Sequence, residues 1–201
     1  MENPSPTRKK IIDAGVKALL AQGYGGTGIG PLLASVKVPK GSFYHFFASK
    51  EAFASAVLAD YVAHYEAMRK ALFGDATRSP LARLTAYIDQ LEQEVLAEHP
   101  FGGCLYGALA QTAPTLGTAL REEIAAIFAR WEQQLGALLA QAQAAGEIDA
   151  ALDPVEAAAY LIDAYEGAVV RARAGDGAAA FTRLRRFALR SLEPHRAPLR
   201  T

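Results

Sequence analysis

The sequence predicts an all-α fold of about nine helices, with a three-helix N-terminal head on a larger helical body. Three observations predict it. Apolar residues make up 51% of the 201 residues and alanine is very common among them, which favours helix over strand. Runs of β-branched residues are nearly absent. Apolar positions recur at helical spacing between breaks made of Gly, Pro and capping Ser, Thr or Asp.

Each element has its own justification. Residues 7–22, TRKKIIDAGVKALLAQ, read as helix one, with Thr7 as cap, Ile12, Val16, Leu19 and Leu20 on one stripe, and Gly23 as the stop. Thr27 opens a short second helix over about 27–35, with Ile29, Leu32 and Leu33 inward. A tight connection at 36–38 leads to helix three, about 39–46, with Pro39 in its first turn, where a missing N–H costs nothing. Ser49 caps a longer helix to about 72, and GDATRSP is a break. Ser79-Pro80 starts a helix to about 97. HPFGG is a second break, and GCLYGALAQ a short helix after it. Residues 115–145 form a long helix closed by Gly146. Asp153-Pro154-Val155-Glu156 is a strong start signal for a helix to about 173. AGDGA is a loop, 178–192 the last helix, and EPHRAPLRT a frayed tail.

The bulk properties exclude several classes. No run of about twenty apolar residues occurs, so no membrane span is expected. MENPSPTRKK lacks an apolar core after its charges, so it does not read as a signal peptide. Cys104 is the only cysteine, which rules out an internal disulfide and fits a cytoplasmic chain. The net charge of zero hides an asymmetry. The first fifty residues carry seven lysines and arginines against two acids, a net of +5, and the remainder carries −5. A basic head on an acidic body points to a polyanion partner.

The motifs sharpen this. GYGGTG matches the glycine pattern of a dinucleotide loop, but that loop must follow a strand, and here a helix precedes it. The spacing of the first three helices is that of a helix-turn-helix with a supporting helix, in which helix three enters the major groove by its N-terminal residues. Gly41 and Ser42 are small enough to let the backbone approach DNA. Lys40 reaches a phosphate or a guanine edge, Tyr44 and His45 donate to phosphates, and Lys50 lies one turn beyond. Thr27 adds a hydroxyl at a helix start. Phe43, Phe46 and Phe47 are packing residues. Catalytic chemistry is not expected. Asp60 with His64, His64 with Glu66, and His99 with Cys104 are close in sequence, but no third group orients any pair, and no metal-ligand spacing or cofactor motif stands out.

The segment TRKKIIDAGVKALLAQGYGGTGIGPLLASVKVPKGSFYHFFASKEAF resembles the N-terminal DNA-binding domain of the TetR family of transcriptional repressors. The start of helix one, the Gly-Tyr after it, the Thr opening helix two and KGSFYHFFASKE carry the resemblance, over about residues 7–55. One position departs: Lys37 stands where the family commonly has glycine, so a left-handed turn there would be strained, or the lysine would add a DNA contact. The DNA-contact candidates are thus Thr27, Lys37, Pro39, Lys40, Gly41, Ser42, Tyr44, His45 and Lys50. The chain divides into a DNA-binding domain at 1–50 and a ligand-binding and dimerisation domain at 51–201.

The resemblance implies a homodimer on a double-stranded operator through the last two long helices, with Tyr160, Leu161, Ala164 and Ala168 on one and Phe181, Leu184, Ala188 and Leu192 on the other. The apolar breadth of the first of these helices, which calls for two partners, allows this independently. It also implies a small-molecule inducer in a pocket among the middle helices, for which Tyr61, Tyr65, Tyr87, Cys104, Tyr106, Trp131 and Tyr165 are the candidates. Some repressors resembling this stretch, with Gly-Cys-Leu in the same place, respond to electrophiles or oxidants through that cysteine. Cys104, near a helix start and flanked by Gly102 and Gly103, is therefore either a sensor or an inert small hydrophobe. The competing function is a small-molecule or stress sensor whose helix-turn-helix serves protein contacts.

Overall fold

A computed structural model describes residues 5–97, 99–100 and 102–194. Among these, nine α-helices and no strand occur: α1 (Pro6–Gly26), α2 (Ile29–Ser35), α3 (Lys40–Phe46), α4 (Lys50–Phe73), α5 (Pro80–Leu96), α6 (Leu105–Ala110), α7 (Thr118–Ala144), α8 (Pro154–Arg171) and α9 (Ala178–Arg183). A π-helical turn over Leu184–Leu189 and a 3-10 turn over Arg190–Leu192 continue α9. No described helix is long and apolar enough to cross a membrane. Residues 195–201 of the tail expected to fray lie outside the described residues.

The caps explain most boundaries. Ser79 accepts from Ala82 N, and Asp153 from Val155 N and Glu156 N, with Pro80 and Pro154 at the first helical positions. Ser49 Oγ accepts from Ala52 N at 3.0 Å. Three boundaries differ from expectation. Ser5 and Pro6, not Thr7, start α1. Gly28 stands at the cap of α2, because Thr27 is used differently: its hydroxyl donates to Gly23 O at 2.8 Å and closes the end of α1. Gly23 itself has φ 66°, a left-handed residue that breaks α1 where the sequence placed its stop. The long helix α7 starts at Thr118, after a 3-10 turn at Ala113–Thr115.

Two compact units result. The first holds residues up to 67 together with 99–128, the second 68–97 together with those from 129 on. They cross the functional division drawn at residue 50, since α6 and the start of α7 group with the head. The first core is built on Ile11, Val16, Leu19, Phe43, Phe47, Phe53 and Leu58, all buried. Phe43, Phe47 and Phe53 meet one another with ring centroids 5.3–5.5 Å apart. The second is built on Leu84, Tyr87, Trp131, Leu138, Leu161, Tyr165 and Phe181. There Arg185 of the π-helical turn pairs with Asp89 and Glu92 of α5, and Leu192 O accepts from Asp149 N at 2.9 Å.

Candidate nucleic-acid interface

The turn between α2 and α3 is a Schellman close. Lys37 N donates to Ala34 O at 3.2 Å and Val38 N to Leu33 O at 3.0 Å. That closure puts its C′ residue in the left-handed region, and Lys37 is the one non-glycine with positive φ (55°) among the described residues. The strain anticipated from a lysine in a glycine's place is therefore present, and the Lys37 side chain is exposed.

Helix α3 is held from behind by Phe43, fully buried against Phe47 of the following loop and Phe53 of α4. Its other side faces solvent. Lys40, Gly41, Tyr44 and His45 are exposed at i, i+1, i+4 and i+5, one face of a helix, with Pro39 exposed ahead of them and Ser42 half-buried. Tyr44 is 61% exposed. Lys50, at the start of α4, lies over the Tyr24 ring at 4.7 Å. Burial, and then the charge of Glu51, pushes the Tyr24 phenol up. Lys9 is raised by its hydrogen bond to Asp13 and by nearby Asp60, so its charge is partly spent inside the head. Thr27 is 1% exposed and does not present its hydroxyl to solvent.

The residues grouped as one ligand pocket fall into two sets. Tyr61, Tyr65, Cys104 and Tyr106 belong to the first unit. Tyr61 OH donates to Gly103 O at 2.7 Å and its ring meets Tyr106 edge-on at 5.3 Å and Tyr65 at 4.7 Å. Cys104 is buried and stands at the cap of α6, its Sγ accepting from Gly107 N at 3.4 Å. Tyr87, Trp131 and Tyr165 belong to the second unit, where with Leu84, Leu135 and Ile162 they line an apolar cavity of ≈ 20 Å³, room for about one water molecule. Arg69 is buried beside this set, its guanidinium 5.8 Å from the centre of the Trp131 ring and its Nε donating to Gln134. Among the described residues no group of three or more His, Cys, Asp or Glu side chains could hold a metal ion.

The surface of α8 and α9 is open. A groove of ≈ 230 Å³ runs over Tyr160, Ala164, Gly167, Ala168, Leu184 and Phe187, with Arg171 and Arg183 at its rim. Tyr160 is 49% and Phe187 63% exposed. Of the residues assigned from the sequence to a subunit interface, Leu161, Ala168, Phe181, Leu184, Ala188 and Leu192 are buried within the subunit, Ala168, Leu184 and Ala188 at the floor of the groove. Phe187 was not among the sequence candidates. Its signal was an apolar residue off the stripe formed by Phe181, Leu184, Ala188 and Leu192.

Residues 11–57 match the model of bacterial regulatory proteins of the tetR family, and residues 80–188 that of the tetracyclin repressor-like C-terminal domain. The chain belongs to the TetR family. TetR-family proteins are transcriptional regulators that bind DNA through the N-terminal helix-turn-helix, and this chain is such a regulator and not an enzyme. It is 34% identical to the transcriptional regulator AcuR of Cereibacter sphaeroides over 84% of this chain and 77% of AcuR. A regulatory protein TetR structure from Rhodobacter sphaeroides superposes with a TM-score of 0.88 at 30% identity, covering 92% of this chain and 98% of that one. The reduced form of Escherichia coli NemR superposes with a TM-score of 0.81 at 25% identity, covering 90% and 94%. The all-α expectation, the family and the regulator reading therefore hold.

Proposed function

We propose that this chain is a homodimeric, ligand-responsive transcriptional repressor acting in the cytoplasm, with residues 1–50 as DNA-binding domain and 51–201 as ligand-binding and dimerisation domain. The observation that carries the DNA reading is the exposed row Lys40, Gly41, Tyr44 and His45 on a helix fixed from behind by Phe43. Lys40 has the length and charge for a guanine edge or a phosphate, and Tyr44 and His45 have donors for phosphates. Gly41 and Ser42 leave room for close approach, and Lys37, Pro39 and Lys50 flank the row. Thr27, buried and bonded to Gly23 O through both its hydroxyl and its N–H, offers DNA no donor and drops out of the row.

The open groove of α8 and α9 supports a second copy as partner, with Tyr160, Ala164, Gly167 and Phe187 at the contact. A two-fold dimer presents two copies of α3, which calls for a palindromic operator with half-sites about 34–36 Å apart or a multiple of that. Repression accords with NemR of Escherichia coli, described as an HTH-type transcriptional repressor.

Two inputs are available for release. A small, largely apolar inducer would enlarge the cavity of Tyr87, Trp131 and Tyr165, and it shifts the equilibrium only by its difference in affinity for the two conformers. Alternatively, modification of Cys104 adds bulk at the buried cap of α6 and displaces its Sγ from Gly107 N, and α6 packs on α1 of the head. This second input has the shorter route, because Cys104 lies in the same compact unit as α3.

Selection from a random duplex pool tests the reading. Enrichment of a two-fold symmetric sequence, which Lys40→Ala binds more weakly, is the expected result. A pool that stays random while the protein captures other proteins would assign the helix-turn-helix to protein contacts. For the second input, a Cys104→Ser protein should hold its operator in the presence of an electrophile such as N-ethylmaleimide. An unchanged response of that variant removes Cys104 as a sensor.

A further inference from the structure

Glu51 is the second residue of α4, beside Lys50. Its carboxylate lies against the backbone of Gly117, where a Cβ would sit within 3.0 Å of both carboxylate oxygens. Gly117 immediately precedes α7, and its carbonyl accepts from Arg121 N at 3.2 Å, so it holds the cap position of that helix. Glycine has no side chain to serve the unpaired N–H groups of a first turn, and a helix start favours an anion. The Glu51 carboxylate, coming from another helix, lies against that start.

Further observations tie this contact to the DNA-facing residues. One turn along α4, Ser55 Oγ donates to Glu123 Oε2 at 2.7 Å, a hydrogen bond between the same two helices. Lys50 stands next to Glu51 in the chain, its ammonium over Tyr24. Phe53, on the same stretch of α4, packs on Phe43 of α3, so a tilt of the start of α4 displaces α3. All these residues belong to one compact unit.

We propose that Glu51 is a positioning residue for DNA binding: seated on Gly117, its carboxylate holds the Lys50 end of α4 against α7 in the conformer in which α3 reads DNA. The proposal rests on the DNA reading above. It adds a contact, beside the packing of α6 on α1, through which an event at α6, Cys104 included, would reach α3.

The test uses the full-length protein with Glu51→Ala, Gly117→Ala and the double variant. The atoms a Cβ at position 117 would meet are the mobile end of Glu51, so Gly117→Ala displaces the carboxylate and leaves the fold. Each single variant should raise the dissociation constant for a fluorescent duplex taken from upstream of the protein's own gene by about fivefold or more. The double variant should be no worse than Glu51→Ala alone, because both changes remove the same contact. Melting temperatures should stay close to that of the parent. Amide exchange over 40–53 should quicken in every variant, and over 154–171 it should not change. Additive losses, unchanged affinity, or losses that follow the melting temperature would overturn the proposal. If the parent protein binds no duplex, the DNA reading falls by itself. Exchange then decides the contact alone: unaltered protection over 40–53 would overturn it.

Discussion

Tyr44 and Phe187 are the two most exposed large apolar side chains among the described residues, at 61% and 63%, yet they ask for different partners. Tyr44 stands beside Lys40 and His45 on α3 and carries a hydroxyl. Phe187 has no polar atom, stands over a groove of small residues and is bordered by arginines. An aromatic among cations and donors suits a wet, charged partner such as DNA. An aromatic over Gly167 and Ala164 suits a dry partner of complementary shape. Exposure alone assigns neither; the neighbours do. The same contrast runs along the chain: residues 1–50 carry a net charge of +5 and bury Phe43 and Phe47, while α8 and the segment after it leave apolar surface open.

The largest expected effect comes from breaking the dry side of this comparison. Phe187→Asp places a charge in the groove and should raise the dimer dissociation constant by about 100-fold, as for other central aromatic contacts; sedimentation equilibrium measures it. The isolated subunit should stay folded, since Phe187 is outside the core. A monomeric parent protein would break the comparison on this side.

Next comes the wet side. Lys40→Ala should weaken operator binding about tenfold and lower the salt slope by about 1 per protomer, if its partner is a phosphate. Tyr44→Phe tests the hydroxyl separately, and a loss of about fivefold is expected for one hydrogen bond of roughly 1 kcal/mol.

Smaller effects sharpen the local account. Lys37→Gly relieves the left-handed strain, of about 1–2 kcal/mol, at an entropic cost of about 0.5–1 kcal/mol. A net gain of about 0.5 kcal/mol in urea denaturation is expected. The smallest effect is at Asp176. Its carboxyl is held below the usual range by hydrogen bonds from Arg183 and Arg171. A depressed carboxyl stabilises above its unfolded value and ceases to do so as the pH falls through its native one. Asp176→Asn should therefore melt slightly lower than the parent at pH 7, and the two should converge in strong acid.

Much of the fold was legible because its signals are local. Ser79-Pro80 and Asp153-Pro154 announce their helices within four residues, and the structure starts α5 and α8 there. Thr27 was misread because capping α2 and closing α1 are both open to a threonine between two glycines. The hydrogen bond to Gly23 that decides between them depends on the break in α1. The aromatic candidates for an inducer pocket, each of which could equally be core, are all buried, but the sequence does not say in which core. Tyr61 and Tyr165 therefore looked like neighbours and belong to different units. On α8 a broad apolar circumference announces two contacts, and on α9 a single stripe announces one, without saying which face serves the subunit's own core. Leu161 and Phe181 turned inward, and Phe187 was left outside.

The central claim is sequence-specific DNA binding by a dimer. Fluorescence anisotropy on the duplex upstream of the protein's own gene, across a salt series, tests it most directly. Two protomers per site, resistance to competitor DNA and a log–log salt slope of at least about −3 to −4, from Lys40 and Lys50 of both subunits, are predicted. Binding that is indifferent to sequence, or that ignores salt, would contradict it.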